Sequence, residues 1–146
     1  MRLAEPYEAL RDASDRMLAT AGARPTIFLA NLGASADFTE RATFATNFFA
    51  AGGIAAIGND GFANHDALIR AFKDSDSRLA CLCGTDAVYD RETADAARAL
   101  KSAGAQRLYL VGTPGSREAQ WRAAGVDTFI HSGCDALAIL QSSLDH

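Results

Sequence analysis

The feature that most constrains the fold is a cycle repeated five times: a short apolar run, a turn of small residues, then an amphipathic stretch. Chains built on that cycle form βα units around a parallel sheet. The runs are residues 26–30 (TIFLA), 54–57 (IAAI), 79–83 (LACLC), 107–111 (RLYLV) and 128–130 (TFI). They are almost continuously apolar instead of alternating, the pattern of strands covered by helices on both faces. Between them, apolar residues recur at i, i+3 or i+4 over 38–51, 65–73, 91–103, 117–124 and 135–144, which predicts helices. Gly52, Gly104 and Gly125 stand where left-handed C-caps are expected. With right-handed crossovers, five such strands predict an α/β fold, a doubly wound parallel sheet of flavodoxin-like order 2-1-3-4-5. Ahead of it, Tyr7, Leu10, Met17 and Leu18 share one stripe of a helix that Pro6 would open. The chain therefore divides into an N-terminal helix and linker, 1–23, and an α/β domain, 24–146.

Composition narrows the partners. At 146 residues and 49% hydrophobic content the chain suits one domain with one core, and a formal charge of −4 gives no reason to expect a polyanion. Nucleic acid is disfavoured. No apolar run approaches the roughly 20 residues of a membrane span, and the opening residues lack the apolar stretch of a secretory signal. Three cysteines, Cys81, Cys83 and Cys134, are an odd number without a CxxC spacing, which fits a reducing cytoplasm better than a disulfide framework or a zinc site. Cys81 and Cys83 lie two apart, on one face of a strand, and read as small buried hydrophobes.

In such sheets ligands bind outside the carboxyl ends of the strands, so five short segments matter. After the first strand, Asn31-Leu32-Gly33-Ala34-Ser35-Ala36-Asp37 leads into a helix with Asp37 or Ser35 as N-cap; a phosphate-cradling loop is the competing reading, and Asp37 at its mouth would repel an anion. There is no Walker A sequence and no GxGxxG. Gly58-Asn59-Asp60-Gly61 is a turn cluster. Gly84-Thr85-Asp86 and Gly112-Thr113-Pro114-Gly115-Ser116 either leave room for a planar ligand or are ordinary βα loops with an N-cap. His65, His131 and His146 have no partners at metal-ligand spacing, so no metal site is expected. Trp121 reads as core or interface. A receiver domain shares the strand order but needs an acidic cluster after strand 1 and a Lys after strand 5, where this chain has Asn31 and His131.

The residues from Arg24-Pro25-Thr26-Ile27-Phe28-Leu29-Ala30-Asn31-Leu32-Gly33 through Ala36-Asp37-Phe38-Thr39, Arg41-Ala42-Thr43-Phe44-Ala45, Asn47-Phe48-Phe49, Ala51-Gly52-Gly53-Ile54 and Asn59-Asp60-Gly61-Phe62 resemble methylmalonyl-CoA mutase, specifically the C-terminal, cobalamin-binding-like domain of its small (beta) subunit. The resemblance covers essentially the whole chain and is most specific over the first strand and helix. It implies a B12-binding-type fold. Catalytic chains of the family hold adenosylcobalamin with an Asp-x-His-x-x-Gly motif after strand 1, a Ser-x-Leu element after strand 3 and a Gly-Gly element after strand 4. Matched to that pattern, this chain has Ser35 for the Asp, Asp37 for the His and Glu40 for the Gly, then Gly84-Thr85-Asp86, and Gly112-Thr113 for Gly-Gly. A hard carboxylate replaces the neutral imidazole a cobalt ligand requires. The resemblance thus implies degenerate cofactor positions at Ser35, Asp37, Glu40, Gly84, Thr85, Gly112 and Thr113, with no cofactor bound by this chain and no catalytic residue.

By the same resemblance the chain is the non-catalytic partner, in a heterodimer, of a large (alpha) subunit that binds adenosylcobalamin and interconverts methylmalonyl-CoA and succinyl-CoA in propionate metabolism. The family's subunits also carry a TIM barrel, which 146 residues cannot contain, so the sequence reads as a separated domain or a piece of a longer chain. Two alternatives stay open: a corrinoid-binding module without a His ligand, and a free-standing flavodoxin-like ligand domain.

Overall fold

A computed structural model describes residues 26–62, 64–131, 134, 136 and 138–140. The expected helix over 1–23 and most of the one over 135–144 lie outside the described residues. Five strands, β1 (Thr26–Asn31), β2 (Ala55–Ile57), β3 (Leu79–Cys83), β4 (Arg107–Val111) and β5 (Thr128–Ile130), form one sheet in the order β2-β1-β3-β4-β5. Every pairing is parallel, with Phe28 opposite Ala80, Leu82 opposite Leu110, and Leu110 opposite Phe129. This is the flavodoxin-like arrangement that the five apolar runs predict.

The period of two along each strand sends alternate side chains into two cores. Ile27 and Leu29 of β1, Cys81 and Cys83 of β3, and Tyr109 and Val111 of β4 meet helix α1 (Ser35–Ala50) through Phe38, Ala45 and Phe49. Phe28, Ala30, Leu82, Leu108 and Leu110 meet the helices of the opposite face: α2 (His65–Ser75), α3 (Asp86–Ser102) and α4 (Glu118–Ala124). Their stripes follow the helical period, with Leu68 and Phe72 on α2, Val88, Tyr89, Ala96, Ala97 and Leu100 on α3, and Trp121 and Ala124 on α4. Each fully buried Phe or Leu contributes roughly 1.5–3 kcal/mol. Trp121 is core, edge-on to Tyr89 at 6.0 Å between ring centroids.

Several boundaries move for identifiable reasons. The helix expected over 91–103 starts at Asp86, because the Thr85 hydroxyl accepts the Val88 N–H and supplies an N-cap. Residue 117 belongs to a short 3₁₀ turn, Gly115–Arg117, that precedes α4. The left-handed residue after α1 is Gly53 (φ +81°) and not Gly52, whose Cα packs so closely on Leu140 that an added Cβ would lie 3.1 Å from its side chain. Asp76 takes the left-handed conformation that ends α2. Gly104 (φ +109°) and Gly125 (φ +126°) follow their helices as expected. No described helix is long and apolar enough to cross a membrane.

Candidate functional site at the strand ends

Chain reversal at β1 and β3 places α1 on one face and α3 on the other, so the crevice of this sheet opens where β1, β3 and β4 end. Its first wall is the loop after β1. Leu32 N–H continues the β1–β3 pairing by donating to the Cys83 carbonyl at 2.8 Å, and Gly33 then turns with φ +83°. Ala34 is the N-cap of α1; neither Ser35 nor Asp37 is, because Ser35 already opens the helix. Asp37 is the third helical residue. Its Oδ2 accepts the Ala34 N–H at 2.9 Å while its own N–H donates to the Ala34 carbonyl at 2.8 Å, closing the first turn on itself. The carboxylate is therefore spent on capping, and Ser35 and Glu40 are exposed.

The loops after β3 and β4 converge on a residue from α1. Arg41 Nη1 donates to the Gly84 carbonyl at 2.9 Å and, more weakly, to the Val111 carbonyl at 3.4 Å. Its Nη2 pairs with Asp86 at 3.0 Å, and the guanidinium lies 5.1 Å from the centroid of the Tyr89 ring. A Cβ placed at Gly112 would meet Arg41 Nη1 at 3.3 Å. The room that Gly84 and Gly112 leave at the strand ends is thus taken by a side chain of this same molecule, which favours ordinary βα loops over room for a planar ligand, the two readings that the sequence leaves open. Burial works against the charge of Arg41, but Tyr89 and Asp86 outweigh it and hold the guanidinium above its ordinary pKa.

Tyr89 completes the closure from α3. Its hydroxyl accepts the Gly84 N–H at 3.1 Å and donates to the Val111 carbonyl at 2.7 Å, with the Leu82 carbonyl also at 3.1 Å. Burial, then the neighbouring Cys83 and Cys81, push the phenol well above its ordinary pKa, so it stays a neutral donor. Burial, reinforced by Cys83, likewise raises the Cys81 thiol.

Of the residues singled out in the sequence, Gly84 and Gly112 meet around Arg41, with Asp86 its ion partner and Thr85 the adjoining cap. Thr113 is exposed beyond them. His65 lies 3.2 Å from Glu92, and the two line a small pocket beside Asn31, Leu32 and Gly33; no cluster of three metal-ligating side chains occurs among the described residues. Sequence reasoning missed Arg41 and Tyr89. A signal was present: Arg41 falls three residues after Phe38 and four before Ala45, inside the apolar stripe of α1, where an unsolvated cation needs a buried partner.

No protein-family model matches the chain. Comparison with curated proteins finds it 42% identical, over 99% of its length, to the methylmalonyl-CoA mutase small subunit of Streptomyces virginiae. It is 46% identical, over 76% of its length, to the probable methylmalonyl-CoA mutase small subunit of Mycobacterium tuberculosis. With the methylmalonyl-CoA mutase small subunit of Propionibacterium freudenreichii subsp. shermanii it shares 33% over 99%. The chain spans 22%, 18% and 22% of those proteins respectively, and is a homologue of that part of them.

Proposed function

We propose that this chain is the B12-binding-type domain of a mutase small subunit, comprising 24–146, that binds no corrinoid and serves assembly with a cofactor-bearing large subunit. Arg41 is the observation that carries this reading. A corrinoid held at the strand ends would need the space beside Gly84 and Gly112, and that space is filled by a guanidinium anchored to two backbone carbonyls, Asp86 and an aromatic face. At the position where the family's motif has a cobalt-ligating His, Asp37 is engaged with the backbone of its own helix turn. The residues present do not fit adenosylcobalamin, and no chemical step is assigned to the chain. The homology to proteins named as small subunits supports a partner role in methylmalonyl-CoA isomerisation.

Titration of the chain with hydroxocobalamin and adenosylcobalamin, followed by visible spectroscopy and equilibrium dialysis, tests the first half of the proposal. No saturable change is expected; saturable binding with a changed lower axial ligand overturns it. Co-purification with a mutase large subunit tests the second half, and failure of the two to associate removes the assembly role.

A further inference from the structure

Asp60-Gly61 is the one Asp-Gly step in the sequence, and Asn-Gly does not occur. Such a step is chemically weak. The Gly nitrogen can attack the Asp side-chain carbon Cγ, and with no Cβ on the attacking residue nothing obstructs the approach. Here Asp60 is exposed in the loop after β2, and Gly61 is held at φ +92°, a backbone conformation that suits Gly. What the fold adds is a restraint on the nitrogen. Gly61 N–H donates to Asn59 Oδ1 at 3.0 Å, closing a turn across Asp60. Asn59 is itself fixed at two further points: its Nδ2 donates to the Leu29 carbonyl at 2.8 Å, and its Oδ1 accepts Asn31 Nδ2 at 3.0 Å. Asn31 is only 2% exposed, so the oxygen that holds Gly61 N–H is anchored in the buried end of β1.

The reaction open to this step needs only water. Gly61 N bonds to Asp60 Cγ; the carboxyl, protonated from solvent, loses its hydroxyl, which leaves as water with the nitrogen's proton, and a five-membered succinimide closes. Water then opens the ring. Attack at Cγ restores Asp60, whereas attack at the Asp60 backbone carbonyl breaks its bond to Gly61 N and leaves an isoaspartate, whose chain runs through Cβ and Cγ. The water lost on closure is returned on opening, so the product is an isomer. Before the first step Gly61 N–H must leave Asn59 Oδ1, and one net hydrogen bond corresponds to a factor of about 2 to 10 in rate. After the last step the backbone between Asn59 and Gly61 is one methylene longer. The turn that holds Asn59 against Leu29 and Asn31 then opens at Gly61.

We propose that Asp60-Gly61 is an isoaspartate-forming modification site and that Asn59 restrains it, coupling chemical ageing of this loop to its attachment at the end of β1. The site is independent of whether a corrinoid binds in the strand-end crevice. The test incubates the 146-residue chain and a synthetic peptide of residues 56–64 side by side at neutral pH, and reads isoaspartate by enzymatic carboxyl methylation and chromatographic separation of the isomeric peptides. Asp60 in the folded chain is expected to isomerise at least about twofold more slowly than in the peptide. Asn59→Ala, with its fold checked by circular dichroism, should speed isomerisation at Asp60 about 2- to 10-fold in the chain and leave the peptide rate unchanged. Asn59→Asp, which keeps an oxygen for both Gly61 N–H and Asn31, should stay within about twofold of wild type, and decides the matter should Asn59→Ala not fold. Asp60→Glu, whose longer side chain cannot close the five-membered ring, should remove the signal from this position. Equal rates in chain and peptide, a folded Asn59→Ala chain no faster than wild type, or an Asn59→Asp chain as fast as the peptide overturns the proposal.

Discussion

Removing the Tyr89 hydroxyl and the Arg41 guanidinium together should cost more stability than the two separate losses add up to. In Tyr89→Phe the ring stays and continues to stack under Arg41, but the buried Gly84 N–H loses the oxygen it donates to at 3.1 Å. A buried donor left without an acceptor costs about 1–3 kcal/mol. The Val111 carbonyl loses its 2.7 Å donor yet keeps Arg41 at 3.4 Å. In Arg41→Ala the Gly84 carbonyl loses its 2.9 Å donor and the stacking contact disappears, together about 1–2 kcal/mol, while Val111 keeps the Tyr89 hydroxyl. Only the double variant strips both donors from Val111. The coupling energy should therefore be destabilising, about 0.5–1.5 kcal/mol beyond the sum. Equilibrium unfolding in urea measures it, read by the fluorescence of Trp121, which lies 6.0 Å from the Tyr89 ring, and by circular dichroism as a check on two-state behaviour. Additivity within about 0.3–0.5 kcal/mol, or a smaller loss in the double variant, would refute the shared-carbonyl reasoning.

Three further outcomes are expected. Asn64→Ala removes the side chain that accepts the Ala67 N–H at 2.8 Å and caps α2, and should lower stability by about 0.5–2 kcal/mol, seen as a reduced midpoint in thermal unfolding. Because burial raises the Tyr89 pKa above its unfolded value, the stability it supports is complete below about pH 10 and is lost as pH rises towards the folded pKa. The stability difference between wild type and Tyr89→Phe should then narrow by about 1.4 kcal/mol per pH unit above that point, and urea midpoints from pH 8 to 11 will show whether it does. A thiol reagent should label Cys134 in the native protein and Cys81 and Cys83 only on unfolding, since both of the latter are fully buried and burial holds the Cys81 thiol neutral; mass spectrometry of the labelled peptides decides.

The sheet was legible because its determinants are local. Runs such as LACLC, buried on both faces, and stripes such as Leu68 and Phe72 encode strand, helix and inward face without reference to distant residues. The right-handed crossover rule then leaves few orders, and the observed one was among them. Helix starts were less legible. The α3 boundary depended on a Thr85 hydroxyl bond, and the α1 boundary on a turn in which Asp37 reaches back to Ala34 while an alanine occupies the cap position. The homology was carried by residue identities along the first strand and helix, which no composition or period would have supplied.

The amino-acid order alone determined that five parallel strands form, that helices cover both faces of their sheet, and that Asp37 and Gly112 stand where a ligand-holding pattern would need other residues. It did not determine what fills the crevice. Gly84 and Gly112 could be read either as open space or as ordinary loop residues, because a sequence shows the absence of a side chain at a position and not the arrival of one from 43 residues away, as Arg41 arrives at the Gly84 carbonyl. The same holds for Asn31, whose amide is met by that of Asn59, 28 residues further on. Patterns of burial repeat along the chain and can be read from it; hydrogen-bond closure depends on which distant atoms meet, and only the folded structure decides that.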